Sequence, residues 1–235
     1  MAAPRRRSAA QRSPGDEDRS GERTRDATRA RLLARALGLF QRRGVEATTM
    51  RDIARAAGLS LGAAYYYFPS KEALVFAYYE QNQAEIEALL DQATGSARER
   101  LGAVFHGKLA SVRAQRKMLA AIVGRLVDPG DPLSALSAQQ RAVRARAIAV
   151  IARALDGTNL APEVVQLAAD ALWLFMMACL LLYVHDDSPD QARTHGLVDD
   201  ALDLIVPMLP LLATPIGQAM CARVTTALAR AGIAI

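Results

Sequence analysis

Between Thr49 and Lys71 the sequence "TMRDIARAAGLSLGAAYYYFPSK" gathers side chains suited to gripping a polyanion. Arg51 carries a permanent charge and a fork of donors that matches a guanine edge, and it suits a phosphate or a nearby carboxylate as well. Tyr65, Tyr66 and Tyr67 stand in a row. A phenol can bond a phosphate while its ring packs on sugar or methyl groups. Leu61, Gly62 and Ala63 bring no hydrogen-bonding group, but they allow close approach and contact with thymine methyls. Lys71 follows Ser70 at a helix start, where unpaired amides and the positive dipole end suit a phosphate. The charge distribution agrees. Residues 1–75 hold fifteen Lys/Arg against eight Asp/Glu, and the rest holds fourteen against sixteen. A basic first third implies an anionic partner at one end, although a merely basic tail gives the same count.

The elements that must position these groups follow from punctuation. Leu32, Leu33, Ala36, Leu37 and Phe40 recur at helical spacing and stop at Gly44. Thr49 with Asp52 approximates a capping box for a short helix whose inner face is Ile53, Ala54 and Ala57. Gly58 breaks it, Ser60 caps a third helix from Leu61 to about Phe68, and Pro69 ends that one. Ser70 caps a long fourth helix. A glycine bend between the second and third helices makes a helix-turn-helix pattern. On the third helix successive tyrosines are about 100° apart, so they cannot share one face. Ala64 and Phe68 make the core side. Tyr65 and Tyr66 then face outward, while Tyr67 packs partly on the first helix.

The rest of the chain reads as helices over 96–113, 115–127, 134–156, 162–185, 190–209 and 215–232, with Pro207 and Pro210 kinking or ending the fifth of these. β-branched and aromatic residues are few, so the expected fold class is all-α. The expected organisation is a disordered arginine-rich arm (1–24), a helix-turn-helix DNA-binding domain (25–72) and a helical ligand-binding and dimerisation domain (73–235). Arg5, Arg6 and Arg7 in the arm suit a nucleic acid and a solvated tail equally. The most apolar run, Ala171–Val184, is shorter than the roughly 18–20 residues that cross a bilayer, so no membrane partner is expected. The helix over 162–185 is apolar nearly all round and must be buried on all sides. With the helix over 190–209 it would meet a second copy in a four-helix bundle, making a homodimer.

No catalytic residue, metal site or cofactor is expected. No phosphate loop, paired carboxylates or nucleophile elbow occurs, and adjacent His185, Asp186 and Asp187 on a loop would point apart. Cys179 and Cys221 lie in apolar helical patterns and suggest no disulfide framework. With no apolar leader at the N-terminus, that fits a reducing cytoplasm.

The stretch "ATTMRDIARAAGLSLGAAYYYFPSKEAL" resembles the N-terminal domain of TetR/AcrR-type transcriptional regulators. The shared layout is Phe40 to Gly44, then Thr49, Ile53 and Ala54, an Ala-Gly turn, Tyr65 and Phe68, and Ser-Lys-Glu at 70–72. It covers roughly residues 27–80. Leu61 and Ala63 stand where many members carry polar residues. The resemblance implies a homodimer on a double-stranded operator, commonly as a repressor, with Lys71 on a phosphate and a small-molecule effector in the second domain. A pocket for it is expected among helices four to eight. Candidate lining residues are Phe105, His106, Leu109, Met118, Ile122, Trp173, Met176, Met177 and Tyr183, although methionines at helical spacing fill cores as often. Such a lining favours an uncharged or aromatic effector.

Overall fold

A computed structural model describes residues 14–128 and 130–230. The described elements are helical throughout: α1 (Pro14–Arg43), α2 (Met50–Ala57), α3 (Leu61–Tyr67), α4 (Lys71–Gln92), α5 (Ala97–Val112), α6 (Arg116–Ala121), α7 (Val123–Val127), α8 (Arg141–Ala154), α9 (Pro162–His185), α10 (Ala192–Leu212) and α11 (Pro215–Arg230). Helices α1, α2 and α3 pack around Leu32, Ala36, Phe40, Ile53, Ala64 and Phe68, all essentially solvent-free. Each buried phenylalanine there is worth roughly 2–3 kcal/mol. Helix α4 closes this head with Leu74 and Val75, then runs on between α5 and α8.

Four expectations change. Helix α1 begins at Pro14, so residues 14–24 of the expected disordered arm are helical, while Arg5, Arg6 and Arg7 lie outside the described residues. The apolar pattern starts only where α1 meets α2; before that, Glu22 with Arg25 and Asp26 with Arg29 have the spacing that supports an exposed helix. The expected helix over 115–127 divides at Ile122 into α6 and α7. Residues 134–140 are turns rather than the start of a helix. There Ser134 Oγ donates to Leu126 O (3.0 Å) and Ser137 Oγ to Pro132 O (3.0 Å), tying the backbone into a non-helical path. Helix α10 continues through Pro207 and Pro210 to Leu212, held to the core by buried Leu209. Beyond it α11 turns back by 104°, and a Cβ on Gly217 would lie only 2.3 Å from Leu211 O, so only glycine fits that approach.

Helix α9 is longer than its most apolar run. Its 24 residues would cross a bilayer by length and composition, with 44% of its apolar window buried within the single chain. It packs against α5, α6, α8, α10 and α11, burying Leu172, Trp173, Met176 and Cys179. Leu174 and Leu182 remain exposed on its outer side. They join Leu197, Leu204, Met208 and Leu211 of α10 and Ile216, Met220 and Val224 of α11, likewise exposed. These exposed apolar side chains lie on three helices that pack on one another.

A polar seam fastens α10 to α5. Asp199 accepts from Arg98 Nη2 (3.0 Å) and bonds His106 Nε2 (3.0 Å), and His106 Nδ1 lies 2.8 Å from His195 Nδ1. At the start of α10, buried Asp186 accepts from the amides and hydroxyls of Ser188 and Thr194. Burial opposes that charge, but the four hydrogen bonds outweigh it and hold the carboxyl well below its usual range. Asp187 pairs with Arg193 (2.9 Å) and His185 Nδ1 turns to Leu181 O (3.1 Å), so the three neighbours have separate partners.

The two facing Nδ1 atoms can share only one proton, so both rings cannot be imidazolium in this geometry. Burial, then His106, lowers the His195 pKa from 6.5. An unfolded His195 therefore takes up its proton first, and the stability held by the neutral ring is lost as pH falls through that value. The melting temperature is expected to drop between about pH 7 and 5.5, and His195→Gln to flatten that drop in a thermal-shift series. An equal drop in the variant would contradict this role.

Candidate nucleic-acid interface and the cavity behind it

Helix α2 starts on a complete capping box. Thr49 Oγ accepts from Asp52 N (3.2 Å), while Asp52 Oδ2 accepts from Thr49 N (3.2 Å) and from the Thr49 hydroxyl (2.6 Å). The Thr49 hydroxyl bond, then its backbone amide, lowers the Asp52 pKa. Thr49, expected at the nucleic-acid face, thus spends its hydroxyl on the cap. Gly58 takes φ +67° at the helix end, which frees the chain to turn onto Ser60, whose Oγ accepts from Ala63 N (3.1 Å).

Helix α3 then points its aromatic residues unequally. Ala64 and Phe68 are buried, and the Arg29 guanidinium sits 4.9 Å over the Phe68 ring. Tyr65 is 47% exposed and Tyr66 72%. Tyr67 is half-buried and meets Tyr66 edge-on, with ring centroids 5.2 Å apart. Leu61 leans on the core, Ala63 is half-buried, and Gly62 is exposed with open space around its Cα. Arg51 of α2 is exposed and has no hydrogen-bond or ion-pair partner among the described residues. The helix-turn-helix thus leaves a guanidinium without a partner and two phenols exposed to solvent.

Lys71 has partners within the chain. Its ammonium donates to Val45 O (2.8 Å) and Glu46 O (3.3 Å), stapling the turn between α1 and α2 to the start of α4. Arg125 of α7 reinforces that junction, reaching Asp131 (2.8 Å), Glu46 (2.8 Å) and Glu72 (3.7 Å).

Two helical turns further along α4 lies a cavity of about 400 Å³, walled also by α5, α8, α9 and the chain between Leu119 and Leu136. Trp173, Met176 and Met177 line it, as do Ile86, Val104 and Ile151. Phe105, Leu109, Met118, Ile122 and Tyr183 do not; they are packed into the core. The reason is helical phase. On α5, Val104, Lys108 and Val112 share the cavity face at spacing four, while Phe105 and Leu109 face away, Phe105 against Phe175 at 5.7 Å. His106 belongs to the seam with α10.

The cavity also holds polar groups that the apolar pattern did not announce. The hydroxyls of Tyr78 and Tyr79 are buried without a partner among the described residues, a cost of roughly 1–3 kcal/mol each. Burial, with Glu85 for Tyr78 and mainly Tyr78 for Tyr79, raises both phenol pKa values far above 10. Lys108 donates to Asn82 Oδ1, and burial brings its pKa down to about 8. The available signal was Tyr78 and Asn82 at spacing four on one helix, and a lysine set between Phe105 and Leu109.

Comparison with known proteins gives a consistent result. Residues 32–78 match the profile described as "Bacterial regulatory proteins, tetR family", and residues 100–218 match "Tetracyclin repressor-like, C-terminal domain". The transcriptional repressor KstR2 of Rhodococcus jostii is 48% identical over 62 residues, which span 26% of this chain and 29% of that protein. A tetR-family transcriptional regulator from Streptomyces coelicolor superposes with a TM-score of 0.59 at 22% identity, covering 86% of this chain and 89% of that one. The regulator PfmR of Thermus thermophilus gives 0.52 at 23%, covering 74% and 96%. At these identities the two structures share the fold.

Two outcomes follow from the geometry. Lys71→Met removes two charge-assisted bonds and is expected to destabilise the chain by about 2 kcal/mol in chemical denaturation, with no loss if the staple is idle. Tyr78→Phe removes an unmet hydroxyl and is expected to stabilise it by about 1 kcal/mol. A destabilised Tyr78→Phe would mean that the phenol is satisfied in solution.

Proposed function

The chain belongs to the TetR family of bacterial regulatory proteins, and from that premise we propose that it is a cytoplasmic transcriptional repressor. In this reading it grips a palindromic operator as a homodimer and releases it when a small, mainly apolar effector enters the cavity. The observation that carries the reading is a helix-turn-helix head with Arg51, Tyr65 and Tyr66 exposed, from which one unbroken helix, α4, runs to a mainly apolar cavity.

In the proposed complex α3 enters the major groove. Leu61, Gly62 and Ala63 approach base edges closely and touch thymine methyls, while Arg51 bonds a guanine and the two exposed tyrosines reach the backbone. The start of α4, with Lys71 beside it, lies against a phosphate. Lys71 already gives two of its three N–H groups to carbonyls, so its share of that contact is chiefly charge. The exposed apolar faces of α9, α10 and α11 support the dimer, because a second copy related by two-fold symmetry would cover them. Two heads on one duplex then read half-sites about 34–36 Å apart.

Effector and operator compete through geometry. A ligand that binds better when α4 is tilted would change the separation of the two heads. It can shift the equilibrium only by its difference in affinity for the two arrangements. Arg125 supports this coupling, because it ties cavity-wall helix α7 to Glu46 and Glu72 at the base of the head.

Selection of bound sites from random DNA tests the reading. Recovery of no common sequence, or of one without two-fold symmetry, would defeat it. On the recovered site, Arg51→Ala is expected to relax preference at one base position per half-site, with about 1–3 kcal/mol of discrimination lost there. Equal loss on specific and random DNA would make Arg51 a phosphate contact instead. Leu204→Glu is expected to yield a folded monomer by light scattering that no longer retains the operator; an intact dimer would redirect the interface elsewhere.

A further inference from the structure

The polar groups of the cavity narrow the chemistry of its occupant, an inference that rests on the effector reading above. Among the residues that line it, Lys108 and Arg144 are cationic and none is Asp or Glu. Arg144 is already committed, donating to Ala135 O (2.7 Å) and Ser137 O (3.3 Å). Lys108 is not. It touches only the Asn82 carbonyl oxygen, and no carboxylate lies within ion-pair distance of it among the described residues. The Asn82 amide is in turn spent on Ser111 Oγ (2.6 Å). One helical turn before Asn82, the Tyr78 hydroxyl has no acceptor, and the Tyr79 hydroxyl has none beside it. What remains on offer is an ammonium whose one partner is neutral, with neutral amides from Gln83 and Gln140 elsewhere in the lining. The other walls, including Trp173, Met176, Met177 and Ile86, are apolar.

We propose that the cavity takes an amphiphilic carboxylate, with its anionic end on Lys108 and the Tyr78 hydroxyl and its apolar body against Trp173, Met176 and Met177. A carboxylate gives the ammonium a hydrogen-bonded counter-charge that no lining residue supplies, Glu85 acting on it only from beyond ion-pair distance. A neutral alcohol answers one donor and leaves the ammonium unpaired. An amine adds a further cation to a lining that contains no Asp or Glu.

Trp173 is the only tryptophan of the chain and lines the cavity, so its fluorescence reports occupancy whatever the ligand charge. Purified full-length protein titrated with decanoate, decanol and decylamine is expected to bind decanoate about tenfold more tightly than decanol, with decylamine weakest. Lys108→Met is expected to abolish that preference while leaving decanol binding within about twofold, and Tyr78→Phe to reduce it by about threefold. Equal affinities for decanoate and decanol, a preference that survives Lys108→Met, or no fluorescence change with any of the three would overturn the proposal. If Lys108→Met fails to fold, the ligand series on the unaltered chain decides the matter. Operator release followed in parallel separates the two readings. Decanoate that binds preferentially without releasing DNA upholds the anionic site and defeats the effector role. Decanol that releases DNA as well as decanoate does the reverse.

Discussion

Everything in this molecule depends on α4 being one continuous helix. Its first turn is capped by Ser70 and carries Lys71, which holds the turn between α1 and α2 through two carbonyls. Its next turns bury Leu74 and Val75 in the head, and directly after them Tyr78, Tyr79, Asn82 and Gln83 face the cavity. At 1.5 Å per residue, Tyr78 is only about 10 Å from the start of the helix. No hinge residue interrupts the path: from Lys71 to Gln92 the helix contains neither glycine nor proline. A displacement imposed at the cavity would meet no glycine or proline hinge in α4 before it reached the head.

Charge and apolar surface are segregated along the same axis. The head keeps Arg51 unpaired and leaves Tyr65 and Tyr66 in solvent. At the far side α9, α10 and α11 expose leucine, methionine and valine over packed neighbours. Between these ends the ionic contacts are internal and directional. Arg125 joins α7 to the head, Arg146 joins α8 to Glu87 of α4, and Arg98 joins α5 to α10. Exposed ion pairs of this kind add little stability individually, so their consequence here is register: they fix how each helix lies on its neighbour.

Legibility in the sequence followed the strength of local signals. Thr49, Gly58, Ser60 and Ser70 mark helix ends by hydrogen-bond chemistry that acts within three or four residues, and each cap stands where the sequence places it. The orientation of Tyr65 and Tyr66 against Ala64 and Phe68 follows from helical phase alone. The cavity was less legible, because membership depends on which face of α5 meets α4, a tertiary fact. Phe105 and Lys108 are only about 60° apart around α5, yet Lys108 reaches the cavity and Phe105 does not. Lys108, Tyr78 and Asn82 were missed for the same reason: a polar residue in a mixed helix reads as solvated until its neighbours are known. Lys71 shows the converse. Its type and position suit a phosphate, but carbonyls from a turn 25 and 26 residues earlier reach its ammonium first.

The unpaired Tyr78 and Tyr79 hydroxyls beside the cavity are a destabilising feature. Each buried hydroxyl without a partner costs roughly 1–3 kcal/mol, and phenylalanine at either position would avoid it. Retaining such groups stores free energy that only a ligand with matching acceptors can recover, and that recovery favours whichever arrangement of α4 brings donors and ligand together. A uniformly apolar cavity would bind oily molecules with little discrimination, since a missing or extra methylene changes affinity by only about 1–3 kcal/mol. Polar groups left unpaired by the wrong ligand discriminate far more strongly. On this argument, selectivity and coupling share one origin, the two turns of α4 between Lys71 and Tyr78.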